Sequence, residues 1–350
     1  MNLAAVETIA KAVLYEGYML YPYRPSSVKN KQRWNFGVLY PESYSKAQGG
    51  TDPCMSQTEC LVQSDCDCRV AIRVRFLHLI TRSVGKLAMP ADELPPEPAF
   101  ELVDRLQCGD RVWVPWQEAE EREIALSLSK ETLIANHSQT FRFAAARRLE
   151  PLREAGQVIG IVLRENDTVE GIIDVSAQTD ANSGILKLTV RLRNLTPFED
   201  AQGRPREHAL QYSLLSAHVV LGVTEGEFIS LLEPLSSLRT LASSCQNIGT
   251  WPVLIGEAGD RDTILSSPII LYDYPQIAPE SAGDLFDGTE IDEILSLRIM
   301  TLTDDEKREM RESDQRASQI LDRTESLPEE QFMKLHGVVR SLRSLKKEAS

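Results

Sequence analysis

The clearest pattern in the chain is an alternation of apolar and polar positions over residues 66–80. The apolar side chains of one face are Val70, Ile72, Val74 and Phe76. Most positions between them are arginine, which suits the other face to water. A period of two residues predicts a half-buried β-strand.

Similar short runs fill the middle of the chain, separated by polar or glycine-containing turns. They lie at 111–116, 123–129, 139–146, 157–165, 168–178, 184–196, 251–257 and 267–275, with one or two further strands within 209–232. Few helical patterns intervene. The spacing predicts a mainly β protein whose body is an antiparallel β-sandwich of Ig-like or C2-like type.

Both ends of the chain follow a helical pattern instead. Residues 2–14 place their apolar side chains on one face of a short helix, and the sequence after Pro279 shows three helical patterns. We therefore predict three regions. They are an N-terminal helix and aromatic/basic loop segment over 1–65 that packs on the body, a β-rich sandwich domain over 66–279, and a helical C-terminal region over 280–350.

Composition narrows the function classes. The chain has 350 residues, a formal net charge of -14 and 42% apolar residues. An acidic chain is a poor binder of the nucleic-acid backbone, because that affinity depends on lysine and arginine displacing counterions. No basic and apolar secretory signal and no transmembrane run is seen, so we expect a cytoplasmic protein.

Four of the six cysteines lie within the stretch PCMSQTECLVQSDCDCR. Thiols in a cytoplasmic protein stay reduced, which makes Cys54, Cys60, Cys66 and Cys68 candidate ligands for zinc or an iron–sulfur cluster. The spacing C-x5-C-x5-C-x-C matches neither zinc ribbons nor common ferredoxins. The alternative is a thiol-bearing loop that leads into the strand, with Cys60 packed as a small apolar residue.

No catalytic or cofactor-binding residue is predicted. The five histidines are scattered, and we interpret each as a hydrogen-bonded structural residue; His78, for example, alternates with apolar neighbours. The glycine-rich nucleotide-binding loops and the zinc-hydrolase motif are missing from the sequence. An enzyme with dispersed site residues and an unknown substrate stays open as an alternative.

Two segments are candidates for binding a partner protein. Basic and aromatic side chains are interleaved in 20–41, and such groups are concentrated at the energetic centres of protein interfaces. A second, acidic candidate lies near residue 287. The proposed contact residues are Arg24, Lys29, Lys31, Arg33, Trp34, Phe36, Asp287 and Glu290. The alternatives are a loop pinned to the body, a solvated helix start and, less favoured, a nucleic-acid contact.

Three stretches together carry a family resemblance. They are LYEGYMLYPYRPSSVKNKQRWNFGVLYP, then MSQTECLV with the following IRVRFLHL, and LYDYPQIAPESAGDLFDGTEIDEILSLRIMTLTDDEKREMR. The chain resembles cytoplasmic proteins encoded beside the structural genes of uptake [NiFe]-hydrogenases in soil bacteria. This resemblance implies a non-catalytic role in hydrogenase maturation, assembly or cofactor supply, with a hydrogenase subunit or maturation factor as partner. It brings no site residues with it.

Overall fold

The structure is a computed structural model that describes residues 36–275, without the side chains of residues 65–67. It also describes the isolated residues 9, 303, 304, 307, 308, 311, 318, 321, 322, 325 and 326. The chain divides into two compact units, one of residues 1–20 with 25–276 and one of residues 21–24 with 277–350. The region boundaries predicted from the sequence, and the terminal helices with them, stay predictions because they depend largely on residues outside this description.

Thirteen strands and a few short helices make up the described body. The strands are β1 Met55–Ala91, β2 Phe100–Val103, β3 Leu106–Cys108, β4 Arg111–Trp113, β5 Trp116–Ser129, β6 His137–Phe143, β7 Ala146–Glu154, β8 Gln157–Asn166, β9 Val169–Thr179, β10 Leu186–Asn194, β11 Leu215–Ile229, β12 Trp251–Leu254 and β13 Thr263–Ser267. The helices are α1 Glu42–Ala47, α2 Lys130–Ile134, α3 Arg206–Leu210 and α4 Arg239–Ser243, with a 3-10 turn at Ser236–Leu238.

The prediction of a mainly β, antiparallel body is confirmed. Eleven strands form one sheet that is curled into a half-barrel, and every pair in it is antiparallel. The strand predicted to begin at Cys66 begins at Met55, because residues 55–62 pair with β10. The cysteine-rich stretch is therefore largely strand.

Strand β1 organises the sheet because it is 37 residues long and changes partners along its length. On one side it pairs successively with β10, β5 and β2, and on the other with β11 and then β8. Between Ser64 and Arg69 the register with β11 shifts. Since irregularities of this kind bend and twist a strand, the shift allows β1 to belong to two layers of the sheet.

The main core lies between these two layers. One layer contributes inward residues of β9 and β10, and the other contributes the middle of β1 with β5 and β11. Phe76 and Ile72 of β1 have no exposed surface, in agreement with the alternation read from the sequence. A strand with alternating apolar and polar side chains is stable only when a second layer covers its apolar face. Here one layer of the curled sheet covers the apolar face of the other.

A smaller lobe is built at the end of β1. There β8 pairs with β1 and β7 pairs with β8, while β2 pairs with β1 on its opposite side and β3 forms a hairpin with β4. Strands β2, β3, β7 and β13 were not predicted. The strand predicted over 267–275 is wrong, because β13 ends at Ser267, directly before Pro268, which cannot donate a backbone hydrogen bond to a sheet. The sequence of β7, ARRLEPLRE, contains a proline and few apolar residues, so its strand character comes from pairing with β8 and not from a local pattern.

Candidate functional site

The half-barrel has one place where two edge strands face the same core without pairing. Strand β5 pairs only with β1 and β6 pairs only with β9 among the described strands, although α2 joins the end of β5 to the start of β6. Hydrogen bonds between β5 and β6 would close a ring of strands through β10 and β9 back to β1. We call the gap between β5 and β6 the open seam.

Four apolar side chains line the open seam. Ile124 and Leu126 of β5 and Phe141 and Phe143 of β6 pack against the main core but are only half-buried. Beneath them Phe76 has no exposed surface, and its ring centroid lies 5.8 Å from each of the two β6 rings. The seam therefore presents apolar surface that the chain's own described residues leave partly uncovered.

Helix α2 fixes one end of the open seam. The Ser129 side chain accepts a hydrogen bond from the backbone N–H of Thr132, which caps the helix. Leu133 anchors the helix in the main core, the helix ends at Ile134, and the chain turns at Asn136, whose backbone is left-handed with φ 63°. The turn into β6 is thus set by a cap, a buried anchor and one residue type that tolerates positive φ.

The unpaired backbone groups of β6 can be assigned from its neighbour. Leu195 donates its backbone N–H to the carbonyl of Glu170, and the N–H of Glu170 bonds the Thr196 hydroxyl, so Glu170 uses its backbone groups on the side away from β6. Arg142 lies opposite Glu170. In an antiparallel pair this makes 142 and 170 a non-hydrogen-bonded position, and the backbone N–H and C=O of Arg142 point out of the sheet edge.

By the same alternation, the backbone groups of Ser138 and Thr140 also point out of the edge. Their side chains lie on the outer face, where Ser138 bonds Asp174 and Arg142 pairs with Glu170. The inward face of the same strand is aromatic at Phe141 and Phe143. A row of outward donors and acceptors above an apolar face is what a further β-strand requires.

The edge of β7 shows what a guarded edge looks like in the same protein. It contains Pro151, which cannot donate a backbone hydrogen bond, and three arginines at 147, 148 and 153. Proline and charged side chains on edge strands oppose pairing with another chain. Strand β6 has no proline and a single charged residue, Arg142, which is already paired.

Arg122 marks the polar end of the open seam. Its guanidinium carbon lies 4.8 Å above the Phe143 ring, and one terminal nitrogen lies 2.9 Å from the Glu120 carboxylate. The Nε atom is buried and has no hydrogen-bond acceptor among the described residues. A guanidinium that stacks on an aromatic ring with a donor unused is suited to a second carboxylate.

His78 lies beside this arginine on the neighbouring strand and has no exposed surface. Its Nε2 atom is 2.8 Å from the Asp167 carbonyl oxygen, which can only accept, so Nε2 donates and Nδ1 is unprotonated in the neutral ring. Nδ1 has no partner among the described residues. The pKa of His78 is lowered from 6.5 to about 4, first by burial and then by the charge of Arg122, against opposing effects of the Asp167 hydrogen bond and of Glu120.

A partly buried ion-pair network continues the polar surface beyond His78. Arg82 is 2% exposed and donates to the Glu118 carboxylate at 3.0 Å and to the Val114 carbonyl at 3.1 Å. Arg164 of β8 reaches the same carboxylate at 2.6 Å and also contacts Glu150. These charges satisfy one another, so we assign the network a structural role that joins β1, β5 and β8.

The predicted cysteine site is only partly within the described residues. Cys60 and Cys68 are buried in the main core, where burial raises the pKa of the Cys60 thiol, and Cys54 is half-buried just before β1. The side chain of Cys66 is outside the description. No cluster of three metal-ligating side chains occurs among the described residues, and the four-cysteine site stays a prediction.

The predicted partner-binding residues lie almost entirely outside the described part of the chain. This applies to Arg24, Lys29, Lys31, Arg33, Trp34, Asp287 and Glu290. Phe36 is described and is 39% exposed, and its carbonyl accepts the backbone N–H of Ser216 at 3.2 Å. Its proposed role in partner binding is untested.

The open seam was not identified from the sequence. The alternation in QTFRFAAA indicates a strand, but no local signal shows that this strand lies at an edge. Residues 137–143 contain no proline and no lysine, the residues that commonly protect edge strands from pairing. This feature indicates an open edge only when the pairing partners of the strand are known.

Comparison with protein families and with curated sequences found no match. The chain matches no protein-family model, and no curated protein sequence matches it.

Proposed function

We propose that this chain is a non-catalytic accessory or assembly factor that acts through protein–protein contacts. The observation that supports the proposal is the open seam, where the unguarded edge of β6 lies beside half-buried aromatic side chains. Sheet edges of this kind bind other chains through backbone hydrogen bonds and side-chain pockets. Beside the seam, Arg122 pairs with Glu120 and His78 donates to the Asp167 carbonyl, while the buried Arg122 Nε and His78 Nδ1 have no partner among the described residues.

The proposed partner is a subunit of a [NiFe]-hydrogenase or one of its maturation factors. This part of the proposal is supported by the family resemblance of the three sequence stretches, which also implies a cytoplasmic location. Within the described residues, no helix has both the length and the apolar character needed to cross a bilayer. The finer fold type, an Ig-like or C2-like sandwich flanked by terminal helices, belongs to the same proposal and is supported by the two sheet layers that share one core.

The proposal is tested by capture and by loss of function in a host that carries hydrogenase genes. The full tagged chain is expressed from its own locus, captured proteins are identified by mass spectrometry, and hydrogenase activity is measured after gene deletion. We expect enrichment of a hydrogenase subunit or maturation factor and reduced hydrogenase activity in the deletion strain. Normal activity together with no enriched hydrogenase protein would contradict the proposal.

A pair of substitutions links the capture to the seam. Thr140 is exposed on the outer face of β6, so Thr140→Lys adds the kind of charge that guards edge strands, while Thr140→Ser keeps the hydroxyl and serves as the control. We expect Thr140→Lys to reduce capture and Thr140→Ser to leave it unchanged. Equal capture by both variants would assign the contact to another surface.

A further inference from the structure

From the open seam we infer that the partner protein contributes an extended segment, which adds to β6 as a further strand. This segment carries apolar side chains at alternate positions and one acidic side chain that pairs with Arg122. This inference rests on the proposed function, since it concerns the same contact. It specifies the backbone conformation, the side-chain pattern and the position of one charge.

The extended conformation follows from the backbone groups that β6 points away from β9. Ser138, Thr140 and Arg142 present backbone N–H and C=O groups outward at every second residue. The Thr140 carbonyl accepts a hydrogen bond from the exposed Gln139 side chain at 2.7 Å, which an added strand would displace. Only another extended backbone matches this repeat, because a helix satisfies its own backbone groups and has none to offer. The length of β6, seven residues, sets the length of the paired segment.

The apolar alternation follows from the face that the added strand would share. Its inward side chains would lie beside Phe141 and Phe143 and across from Ile124 and Leu126, all of which are half-buried. Side chains of the intervening positions would lie on the outer face beside Thr140, in water. Apolar residues are therefore required at every second position of the segment and polar residues are accepted between them.

The acidic residue follows from Arg122. The guanidinium stands over Phe143 at one end of the seam, Glu120 uses one of its terminal nitrogens, and its buried Nε has no acceptor among the described residues. The Arg122 side chain is 20% exposed, so a carboxylate on the inward face of the added strand, beside Phe143, can reach the guanidinium and satisfy that donor after a side-chain rotation. Charge-assisted bonds to arginine fix register as well as adding affinity, so the acidic residue would also set which end of the segment lies at Phe143.

A second copy of the chain is a weaker candidate for the occupant. An edge-to-edge pair around a two-fold axis would place β6 against itself, and HSQTFRF contains no acidic side chain to meet Arg122. We therefore assign the segment to a partner protein, and a dimer of this chain is one of the outcomes that the test below distinguishes.

The inference is tested with a random peptide display library selected on the immobilised full chain. We expect the enriched peptides to share apolar residues at alternate positions and an acidic residue at a fixed offset. Thr140→Pro removes an outward N–H without touching the β6–β9 ladder and should weaken binding of an enriched peptide about tenfold, whereas Thr140→Ala should bind like the unaltered chain. Should the proline variant unfold, Thr140→Lys replaces it, and far-UV circular dichroism checks both.

Arg122 is tested separately with the same peptides. Arg122→Gln should weaken binding about tenfold and abolish the preference for an acidic over an amide residue, while Arg122→Lys should retain part of that preference because it keeps the charge and loses Nε. Enriched peptides without alternation, or binding that is unchanged in both Thr140→Pro and Arg122→Gln, would overturn the inference. A dimer of the chain that Thr140→Pro converts to a monomer would overturn it too.

The outcomes separate the two proposals. If hydrogenase proteins are captured equally by the unaltered chain and by Thr140→Pro, the accessory function stands and the strand-addition inference fails. If the peptides behave as expected but no hydrogenase protein is captured and deletion has no effect, the seam binds extended segments and the proposed function fails.

Discussion

Protonation of His78 should make the protein less stable in mildly acidic solution, and the size of this effect follows from its surroundings. The ring has no exposed surface, and its pKa is lowered from 6.5 to about 4, chiefly by burial. The Asp167 carbonyl is satisfied by the neutral ring, and the nearby Arg122 opposes a second positive charge, while Glu120 offsets part of that repulsion. Between these two pKa values, His78 is therefore neutral in the folded protein and protonated in the unfolded chain.

The sign of the pH dependence follows from this difference. Above pH 6.5 the ring is neutral in both states and contributes no pH dependence. Between pH 6.5 and pH 4 the unfolded state binds the extra proton, so the free energy of unfolding falls as the pH falls. Since one pKa unit corresponds to about 1.4 kcal/mol, the loss across this window is about 3 kcal/mol. Below pH 4 the folded protein is protonated as well and the loss stops growing.

The assay compares the unaltered chain with His78→Gln, whose amide nitrogen can still donate to the Asp167 carbonyl but does not titrate. Urea unfolding is followed by tryptophan fluorescence at several pH values from 7.5 to about 4. Carboxylates titrate in both proteins, so the difference between the two curves isolates His78. We expect the stability advantage of the unaltered chain over the variant to shrink by about 3 kcal/mol across the window. Parallel curves would refute the assignment of a neutral, desolvated His78.

Three further perturbations test the packing around the open seam, each by urea unfolding. Phe76→Ala removes a fully buried ring beneath the β6 aromatics and should cost about 4 kcal/mol, and a loss below about 1 kcal/mol would mean that the two sheet layers do not meet there. Glu118→Gln removes the charge partner of the buried Arg82 guanidinium and should lower the free energy of unfolding by about 3 kcal/mol. The double replacement Arg82→Met with Glu118→Leu should recover most of this loss. A double variant as unstable as Glu118→Gln would contradict a purely structural role for the network. Gly171→Ala places a Cβ 2.3 Å from the Phe141 ring and should cost about 2 kcal/mol, and an unchanged stability would show that this ring does not lie over β9.

The sequence predicted the local character of the body well, and the reason is visible in β1. The sequence pattern places Ile72, Val74 and Phe76 on one face of the strand, and the structure buries that same face. The two agree because side chains of an extended backbone alternate between its faces. The same reasoning located most strands within a few residues. It missed β2, β3 and β13 as well as β7, whose strand character depends on pairing with β8. It also placed the start of β1 after the cysteines and not at Met55, and it predicted a strand over 267–275 where only Ser267 belongs to one.

By itself, then, the sequence determined an antiparallel β body with a strongly apolar core face, and it showed that the common nucleotide-binding and zinc-hydrolase motifs are missing. Only the tertiary structure decided which strand edges remain open and which polar groups are buried. The free edge of β6 exists because β9 takes one of its sides and β5 does not take the other, and His78 is neutral because a turn far along the chain brings the Asp167 carbonyl to it. Face periodicity is encoded residue by residue, whereas pairing and desolvation arise from contacts between distant segments, and these have no local signature to read.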